Sequence, residues 1–176
     1  NFAFIISVTV SCYVIARIIE RMKNREDSAV EQNRDIWSKD ERKQYRAKQK
    51  KRRLGVLIIG VVINIGILAV IKYTAFAITN VNSILSLFGV GKLSVPTLIL
   101  PMGISFFVFQ SVAYIIDVYR GKTYAEKNIA KFALFVSFFP QLVQGPISRH
   151  SDLAKQLYEP NRFDGKKFKF GLQRIL

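Results

Sequence analysis

The stretch LGVLIIGVVINIGILAVI, residues 54–71, has 18 consecutive residues without a charge and follows directly after the basic run KKRR. As an α-helix it would be about 27 Å long, close to the thickness of the hydrocarbon core of a bilayer. Gly60 and Asn64 are four residues apart and share a face, which predicts that this face packs against another helix. The stretch therefore predicts a transmembrane helix, which we extend over about residues 54–76.

The charge distribution identifies the class of protein. The 176-residue chain has 27 Lys and Arg residues, 12 Asp and Glu residues, a formal net charge of +15 and 50% hydrophobic residues. The basic residues form blocks that alternate with apolar runs long enough to cross a bilayer, whereas a nucleic-acid-binding domain would carry a basic stripe on a mixed sequence. We interpret the chain as an all-α integral membrane protein, a multi-spanning helical bundle, and expect no nucleic-acid partner.

Two more spans, at about residues 1–19 and 101–119, follow from the remaining long apolar runs. The polar segment 20–53 separates the first two spans; counted from Arg17, it has 14 basic and 7 acidic residues, a net charge of +7. Because cytoplasmic loops are enriched in Lys and Arg, we expect this segment to be a solvated, helical cytoplasmic loop close to membrane lipid. Residues 77–95 carry the turn-forming groups NVNS and GVGK and predict an outer loop.

The third predicted span begins with Pro101 in its first turn and carries a polar stripe. The stripe recurs at helical spacing on one face and should avoid lipid. It either lines a pathway through the protein or bonds neighbouring helices to each other. Its members are Gly103, Phe107, Gln110, Tyr114 and Asp117. We also expect Asp117 and Arg120 to form an i, i+3 ion pair at the end of the helix.

Residues 132–147, FALFVSFFPQLVQGPI, are too short and too broken for an ordinary span. Pro140, Gly145 and Pro146 interrupt the run, and basic residues lie on both sides of it. A segment that enters from the cytoplasm and returns to the same side explains both features, provided that protein or water satisfies its backbone. We therefore predict a re-entrant segment, with residues 148–176 cytoplasmic and an interfacial helix at 164–176 capped by Asp164.

Two longer motifs together resemble a known family. LPMGISFFVFQSVAYIIDVYRGK (100–122) and FALFVSFFPQLVQGPISRHSDL (132–153) are similar to the membrane-bound O-acyltransferase family, in particular its bacterial alginate O-acetyltransferase-like branch. Weaker likenesses at NIGILAVIKY (64–73) and FKFGLQRIL (168–176) extend the resemblance over about residues 54–176. Within the motifs the resemblance implies a structural role for seven residues, namely Pro101, Gly103, Arg120, Gly121, Pro140, Gly145 and Pro146.

The resemblance implies an O-acyltransferase of the plasma membrane. Such enzymes move an acyl group, mostly acetyl, from a cytoplasmic donor through the membrane to a cell-envelope or extracellular polysaccharide, often with an accessory extracytoplasmic acetyltransferase. The donor would be acetyl-CoA or another acyl thioester used as a substrate, with no bound cofactor or metal. The family's catalytic histidine lies downstream of these motifs, so we expect it beyond residue 176 and read the chain as an N-terminal part, inactive alone.

Two alternatives remain open. One is D-alanyl transfer in teichoic-acid modification, which the same family also performs. The other is a non-catalytic polytopic transporter or polysaccharide-export scaffold, because a polar interior stripe and a re-entrant segment would serve it equally well. An apolar helix that bears a buried histidine further along the protein would favour the enzyme.

The candidate residues for contact with the acyl donor or a tunnel follow from the stripe and the broken segment. They are Gln110, Tyr114, Asp117, Gln141 and Arg149. Arg149 is singled out because a guanidinium beside a Gly-Pro turn can bind the phosphate of a donor or of a lipid headgroup. His150, the only histidine, lies next to it, and we interpret it as a packing or surface residue on a solvent-accessible turn rather than a catalytic base.

Overall fold

The computed structural model describes residues 2–89, 91, 93–95, 103–138, 149–159 and 163–174, and every regular element in these ranges is helical. Gln141, Pro101, Pro140, Gly145 and Pro146, together with the turn of the predicted re-entrant segment, lie outside the described residues. The helices are α1 (Phe2–Gln32), α2 (Lys39–Leu87), α3 (Ile104–Tyr119), α4 (Ile129–Val136), α5 (His150–Tyr158) and α6 (Gly165–Gln173).

Helices α1 and α2 form an antiparallel hairpin, and both are long and apolar enough to cross a membrane. The turn between them ends at Ser38, whose side chain accepts a hydrogen bond from the Glu41 N–H (3.2 Å) while the Glu41 carboxylate accepts one from the Ser38 N–H (2.7 Å). This reciprocal capping box starts α2 in the middle of a strongly basic sequence. Helix α2 has 49 residues and is about 73 Å long. It contains the second half of the basic segment and the whole apolar run in one continuous helix.

The prediction that Gly60 and Asn64 face another helix is confirmed. A Cβ atom on Gly60 would lie 2.8 Å from Ile15 Cδ1 of α1. Asn64 is fully buried, and its Nδ2 donates to Ser11 Oγ of α1 (3.1 Å) and to the Gly60 carbonyl oxygen (2.8 Å). A small residue and a bonded amide therefore bring the two helices together, as expected for helices without a hydrophobic driving force between them.

The loop predicted for residues 77–95 is wrong over its first part, because α2 continues through residues 77–87. The polar side chains there bond to the backbone of their own helix: Thr79 donates to the Ala75 carbonyl, Asn80 to Phe76 and Ser83 to Thr79. Such side chains often form turns in soluble proteins. Here their hydrogen-bonding groups are satisfied by the backbone of their own helix, so they do not end it.

Helix α3 packs against both α1 and α2 and ends in a glycine-stabilised motif. Gly121 has φ 72°, its N–H bonds to the Val118 carbonyl (3.0 Å), and the Lys122 N–H bonds to the Asp117 carbonyl (2.9 Å). This pair of bonds is a Schellman motif, in which the left-handed position favours glycine. The Arg120–Gly121 pair of the family-like motif therefore has a structural reason: it stops α3 and turns the chain toward α4.

The core lies where α1, α2, α3 and α4 meet. It is built from buried residues at helical spacing, with Phe132 and Phe135 of α4 packed on Tyr114 of α3. By contrast, many large apolar side chains of α1 and α2 point outward, for example Val62 (63% exposed) and Val70 (64% exposed). An apolar surface of this extent needs a lipid or protein covering.

Helix α6 begins as the sequence predicts and has no buried residue. The Asp164 side chain accepts from the N–H groups of Lys166 (3.0 Å) and Lys167 (3.3 Å). Phe168 and Leu172 are exposed beside these lysines, which is the surface expected of an interfacial helix.

Candidate functional site at the end of α3

The connecting loop, residues 120–128, joins α3 to α4 and is held by three side chains from neighbouring helices. Glu20 Oε1 accepts a hydrogen bond from the Ala125 N–H (3.0 Å), and Tyr114 Oη accepts one from the Glu126 N–H (2.7 Å). Tyr13 Oη donates to the Lys127 carbonyl oxygen (2.7 Å). Because Glu20 and Tyr13 both belong to α1, the loop is fixed against α1 and α3 at once.

The polar stripe of α3 points into this packed region. Phe107, Gln110 and Tyr114 are almost fully buried, whereas Gly103 and Asp117 are only partly buried. Gln110 Nε2 donates to the Phe135 carbonyl oxygen of α4 (3.2 Å). In the described part of the chain, Gln110 and Tyr114 thus bond α3 to the backbone of α4 and of the connecting loop.

The predicted ion pair between Asp117 and Arg120 is wrong: among the described residues, neither side chain takes part in an ion pair. Arg120 is exposed at the point where the chain leaves the helix, and an ion pair at such a solvent-exposed position gains little free energy.

His150 is buried, with 7% of its surface exposed, so the expectation of a solvent-accessible turn is wrong. Its ring lies edge-on to Phe135 (centroids 4.8 Å apart) and against Tyr114 (4.9 Å). Its Nδ1 lies 3.3 Å from Thr123 Oγ1 of the connecting loop, and within the part of the chain that the structure describes its buried Nε2 has no hydrogen-bond partner. The sequence predicts either a packing or a surface residue at this position, and the structure shows a packing residue whose polar ring is enclosed.

The electrostatics favour a neutral imidazole. Burial lowers the pKa of His150, and the Glu126 carboxylate opposes this effect only in part. A neutral ring has one nitrogen that donates and one that accepts, so His150 can bond Thr123 and still offer its other nitrogen to a polar group.

A pocket of about 380 Å³ opens beside His150. It is lined by residues of the connecting loop and the first turn of α5, among them Thr123, Tyr124, Glu126, Lys127 and Ser151. No nucleophile is activated there within the described residues: Ser151 Oγ donates to Asp152 Oδ1 (2.9 Å) and not to the imidazole. The pocket has the polar groups for binding and orientation but not the nucleophile–base contact of covalent catalysis.

Helix α5 is attached to α4 by a residue that the sequence did not single out. Tyr158 Oη donates to the Lys131 carbonyl oxygen (2.8 Å), and the Lys131 Nζ lies 5.1 Å from the centre of the Tyr158 ring. Burial raises the pKa of Tyr158. Tyr158, Thr123 and Glu126 were missed because their hydrogen bonds, to Lys131, His150 and Tyr114 respectively, join separate segments of the chain and leave no local pattern.

Arg149 lies at the entrance to α5 and is exposed. Its carbonyl oxygen accepts from the N–H groups of Asp152 and Leu153 (both 3.1 Å), which starts the helix. Within the described ranges its guanidinium has no ion-pair partner, so it is free to meet solvent or a ligand. Across the same ranges, no cluster of three or more His, Cys, Asp or Glu side chains that could hold a metal ion is present.

Comparison with known proteins gives a consistent set of relatives. The chain is 47% identical over 100 residues to a protein of Azotobacter vinelandii named "Probable alginate O-acetylase AlgI", a match over 57% of this chain and 20% of the relative. A protein of the same name from Pseudomonas aeruginosa is 45% identical over 100 residues, 57% of this chain and 19% of the relative. A "Peptidoglycan O-acetyltransferase" of Helicobacter pylori is 33% identical over 129 residues, 60% of this chain and 24% of the relative.

These relatives confirm the resemblance to the alginate O-acetyltransferase-like branch. The chain spans about a fifth of the length of the curated relatives that it matches. No protein-family profile matches the chain, and no solved structure matches it.

Proposed function

We propose that the protein to which this chain contributes is a membrane O-acyltransferase that esterifies a cell-envelope or extracellular polysaccharide, with acetyl as the acyl group. The observation that carries the proposal is the 44–47% identity over 100 residues to proteins named for alginate O-acetylation. The peptidoglycan O-acetyltransferase among the relatives supports the same chemistry on another envelope polysaccharide.

The proposed donor is acetyl-CoA or another acyl thioester that approaches from the cytoplasm. Arg149, exposed beside the His150 pocket, is the residue that we propose meets the donor's phosphate, because a guanidinium binds phosphate oxygens through a fork of donors. The acyl group then passes toward the opposite face, where an accessory extracytoplasmic acetyltransferase completes transfer to the polysaccharide. The catalytic histidine belongs to the part of the protein beyond residue 176.

In this proposal the described residues build the cytoplasmic end of the enzyme. Three bonds from Glu20, Tyr114 and Tyr13 fix the connecting loop, and His150 packs between α3 and α4. A rigid entrance of this kind positions a thioester more accurately than a mobile loop does.

The experiment is a gene deletion in the source organism, complemented with the full-length gene. Envelope polysaccharide is purified, its esters are released with mild base, and acetate and D-alanine are quantified. The proposal expects acetate to disappear on deletion and to return on complementation. Loss of D-alanine instead of acetate would assign the protein to teichoic-acid modification. Loss of surface polysaccharide with unchanged ester content would establish a transport or scaffold role.

We also propose a multi-pass arrangement in the plasma membrane, with residues 20–53 and 148–176 on the cytoplasmic side. The contacts support the predicted alternation of direction, because Lys23 of α1 approaches Gly121 just after α3. The C-terminal half of α1 thus lies near the end of α3, as it does when both helices run inward and α2 runs outward.

A further inference from the structure

A second pocket lies at the far end of the α1–α2 hairpin, about 370 Å³ in volume, and we call it the basic pocket. It is lined by Val30 of α1 and by four cations of α2, namely Lys39, Arg42, Lys43 and Arg46. The four cations follow a spacing of three, one and three residues, so they occupy one face of the first two turns of α2. They extend over about 10 Å of helix.

Among the described residues, no ion pair joins any of the four cations of the basic pocket to a carboxylate. Glu26 is in an ion pair with Arg53 (3.0 Å), and Glu31 is paired with Arg34 (3.5 Å). The Glu41 carboxylate is bound to the backbone N–H of Ser38, which lowers the pKa of Glu41. No carboxylate is among the described residues that line the pocket.

Val30 is the apolar residue that lines the pocket, and the Arg42 side chain is hydrogen-bonded to its own helix. Val30 is 6% exposed. Arg42 Nε donates to the Ser38 carbonyl oxygen (3.4 Å), which ties the guanidinium to the first turn of α2. A cavity of this size exceeds the space that one phosphate needs and falls at the lower end of the range for small-molecule sites, roughly 300–1,000 Å³.

The position of the pocket along α2 favours a soluble ligand over a lipid headgroup as its occupant. The apolar run begins at Leu54, so Arg46 lies about 12 Å and Lys39 about 22 Å beyond its edge. The headgroup layer on one side of a bilayer is only about 5–7 Å thick. Even with α2 tilted by about 40°, the pocket remains beyond that layer. This step relies on the proposed membrane placement of α2.

We infer that the basic pocket binds the diphosphate group of a soluble nucleotide. The two turns of cations can neutralise more than one phosphate, which matches a diphosphate better than a single phosphate ester. Charge attraction of this kind is screened by salt, so binding weakens as ionic strength rises. The inference goes beyond acyl transfer, because it requires no transfer step and applies equally to a regulatory nucleotide.

The test measures binding of ADP and of inorganic pyrophosphate to the full-length protein by calorimetry, in detergent and in nanodiscs of neutral lipid. The triple variant R42Q/K43Q/R46Q removes three charges from the pocket. The matched control K48Q/K51Q/R52Q removes three exposed charges from other faces of the same helix. Glutamine has a helix propensity close to those of Lys and Arg, so both variants should keep α2 intact.

We expect ADP and pyrophosphate to bind the wild type in both media. The pocket variant should bind at least about tenfold more weakly, and the control variant within about twofold of the wild type. Equal loss in the two variants would mean diffuse attraction to a basic helix and would overturn the inference. Absence of binding to folded wild-type protein would do the same. Binding that requires vesicles of phosphatidylglycerol would make the occupant a lipid headgroup and would also overturn the inference. Binding of an acidic peptide, without binding of ADP or pyrophosphate, would overturn it as well.

These outcomes are independent of the acyl-transfer proposal. A protein that acetylates polysaccharide normally but binds no diphosphate would refute only the basic pocket. A protein that binds ADP in the pocket but transfers no acyl group would refute only the proposed function.

Discussion

His150 stands at the start of α5 with its ring between Tyr114 of α3 and Phe135 of α4. The sequence offered two readings of a lone histidine, a catalytic base or a bystander, and favoured the second. The structure shows a third situation, a buried ring that ties the connecting loop to two helices through Thr123. The two rings closest to it, Phe135 and Tyr114, are 15 and 36 residues away in sequence, so no local pattern could have revealed the enclosure.

The burial of His150 predicts a pH-dependent stability. Because its pKa in the folded protein lies below its usual value, the unfolded chain binds the proton more readily. The free energy of unfolding should therefore fall as the pH drops below about 6.5, the pKa of an unperturbed histidine. At higher pH the imidazole is neutral in both the folded and the unfolded chain, so this destabilisation is absent. His150→Phe keeps the aromatic packing and removes the proton site. We expect its melting temperature to fall less than that of the wild type between about pH 7.5 and about pH 5.5.

The matched control for this effect is Thr123→Val, which removes the contact to Nδ1 but leaves the imidazole able to titrate. Both variants are measured in the full-length protein by thermal unfolding in detergent at the two pH values. Thr123→Val should lower stability at both values and retain the wild-type pH dependence. An equally steep pH dependence in wild type and His150→Phe would contradict the assignment.

At the scale of the helix, the hairpin of α1 and α2 depends on close approach at one glycine. A Cβ on Gly60 would meet Ile15 Cδ1 at 2.8 Å and Ile15 Cγ2 at 3.0 Å, whereas a Cβ on Gly66 meets nothing within 4 Å. Gly60→Leu should therefore destabilise the protein by about 1–3 kcal/mol through overpacking. Gly66→Leu, on an exposed face of the same helix, should have little effect.

The partner residue makes this prediction sharper. Ile15→Ala in the Gly60→Leu background opens space on α1 and should recover part of the lost stability, although it is destabilising alone. Thermal unfolding of the two single variants and the double variant gives the coupling free energy between the positions. Strictly additive losses would show that the helices do not meet at Gly60.

At the scale of the whole molecule, long apolar runs were the most predictable features. The 18 uncharged residues at 54–71 and their Gly60–Asn64 face led directly to α2 and to its packing on α1. The extension of α2 to Leu87 was missed because Thr79, Asn80 and Ser83 are turn formers in water, yet here they bond to their own helix. The basic pocket was missed because its cations belong to residues 20–53, a basic segment for which the sequence predicts only a solvated helical loop.

The arrangement in the membrane is the remaining prediction, and exposed serines make it testable by cysteine labelling. Cys12 is fully buried and is replaced by alanine, together with any other cysteine of the full-length protein. Ser28, Ser86 and Ser151 are exposed and lie in α1, α2 and α5, respectively. Each is changed to cysteine alone and probed with a membrane-impermeant maleimide in intact cells and in inside-out vesicles.

The Ser28→Cys and Ser151→Cys variants should react only in inside-out vesicles, and the Ser86→Cys variant only in intact cells. The reason is that α1 ends in the basic, cytoplasmic part of the hairpin, α2 carries the chain outward, and α3 brings it back. A chain that crossed once more between α4 and α5 would place Ser151 outside. Labelling of Ser151→Cys in intact cells, with Ser28→Cys still protected there, would thus exclude the re-entrant segment while leaving the first three spans unchanged.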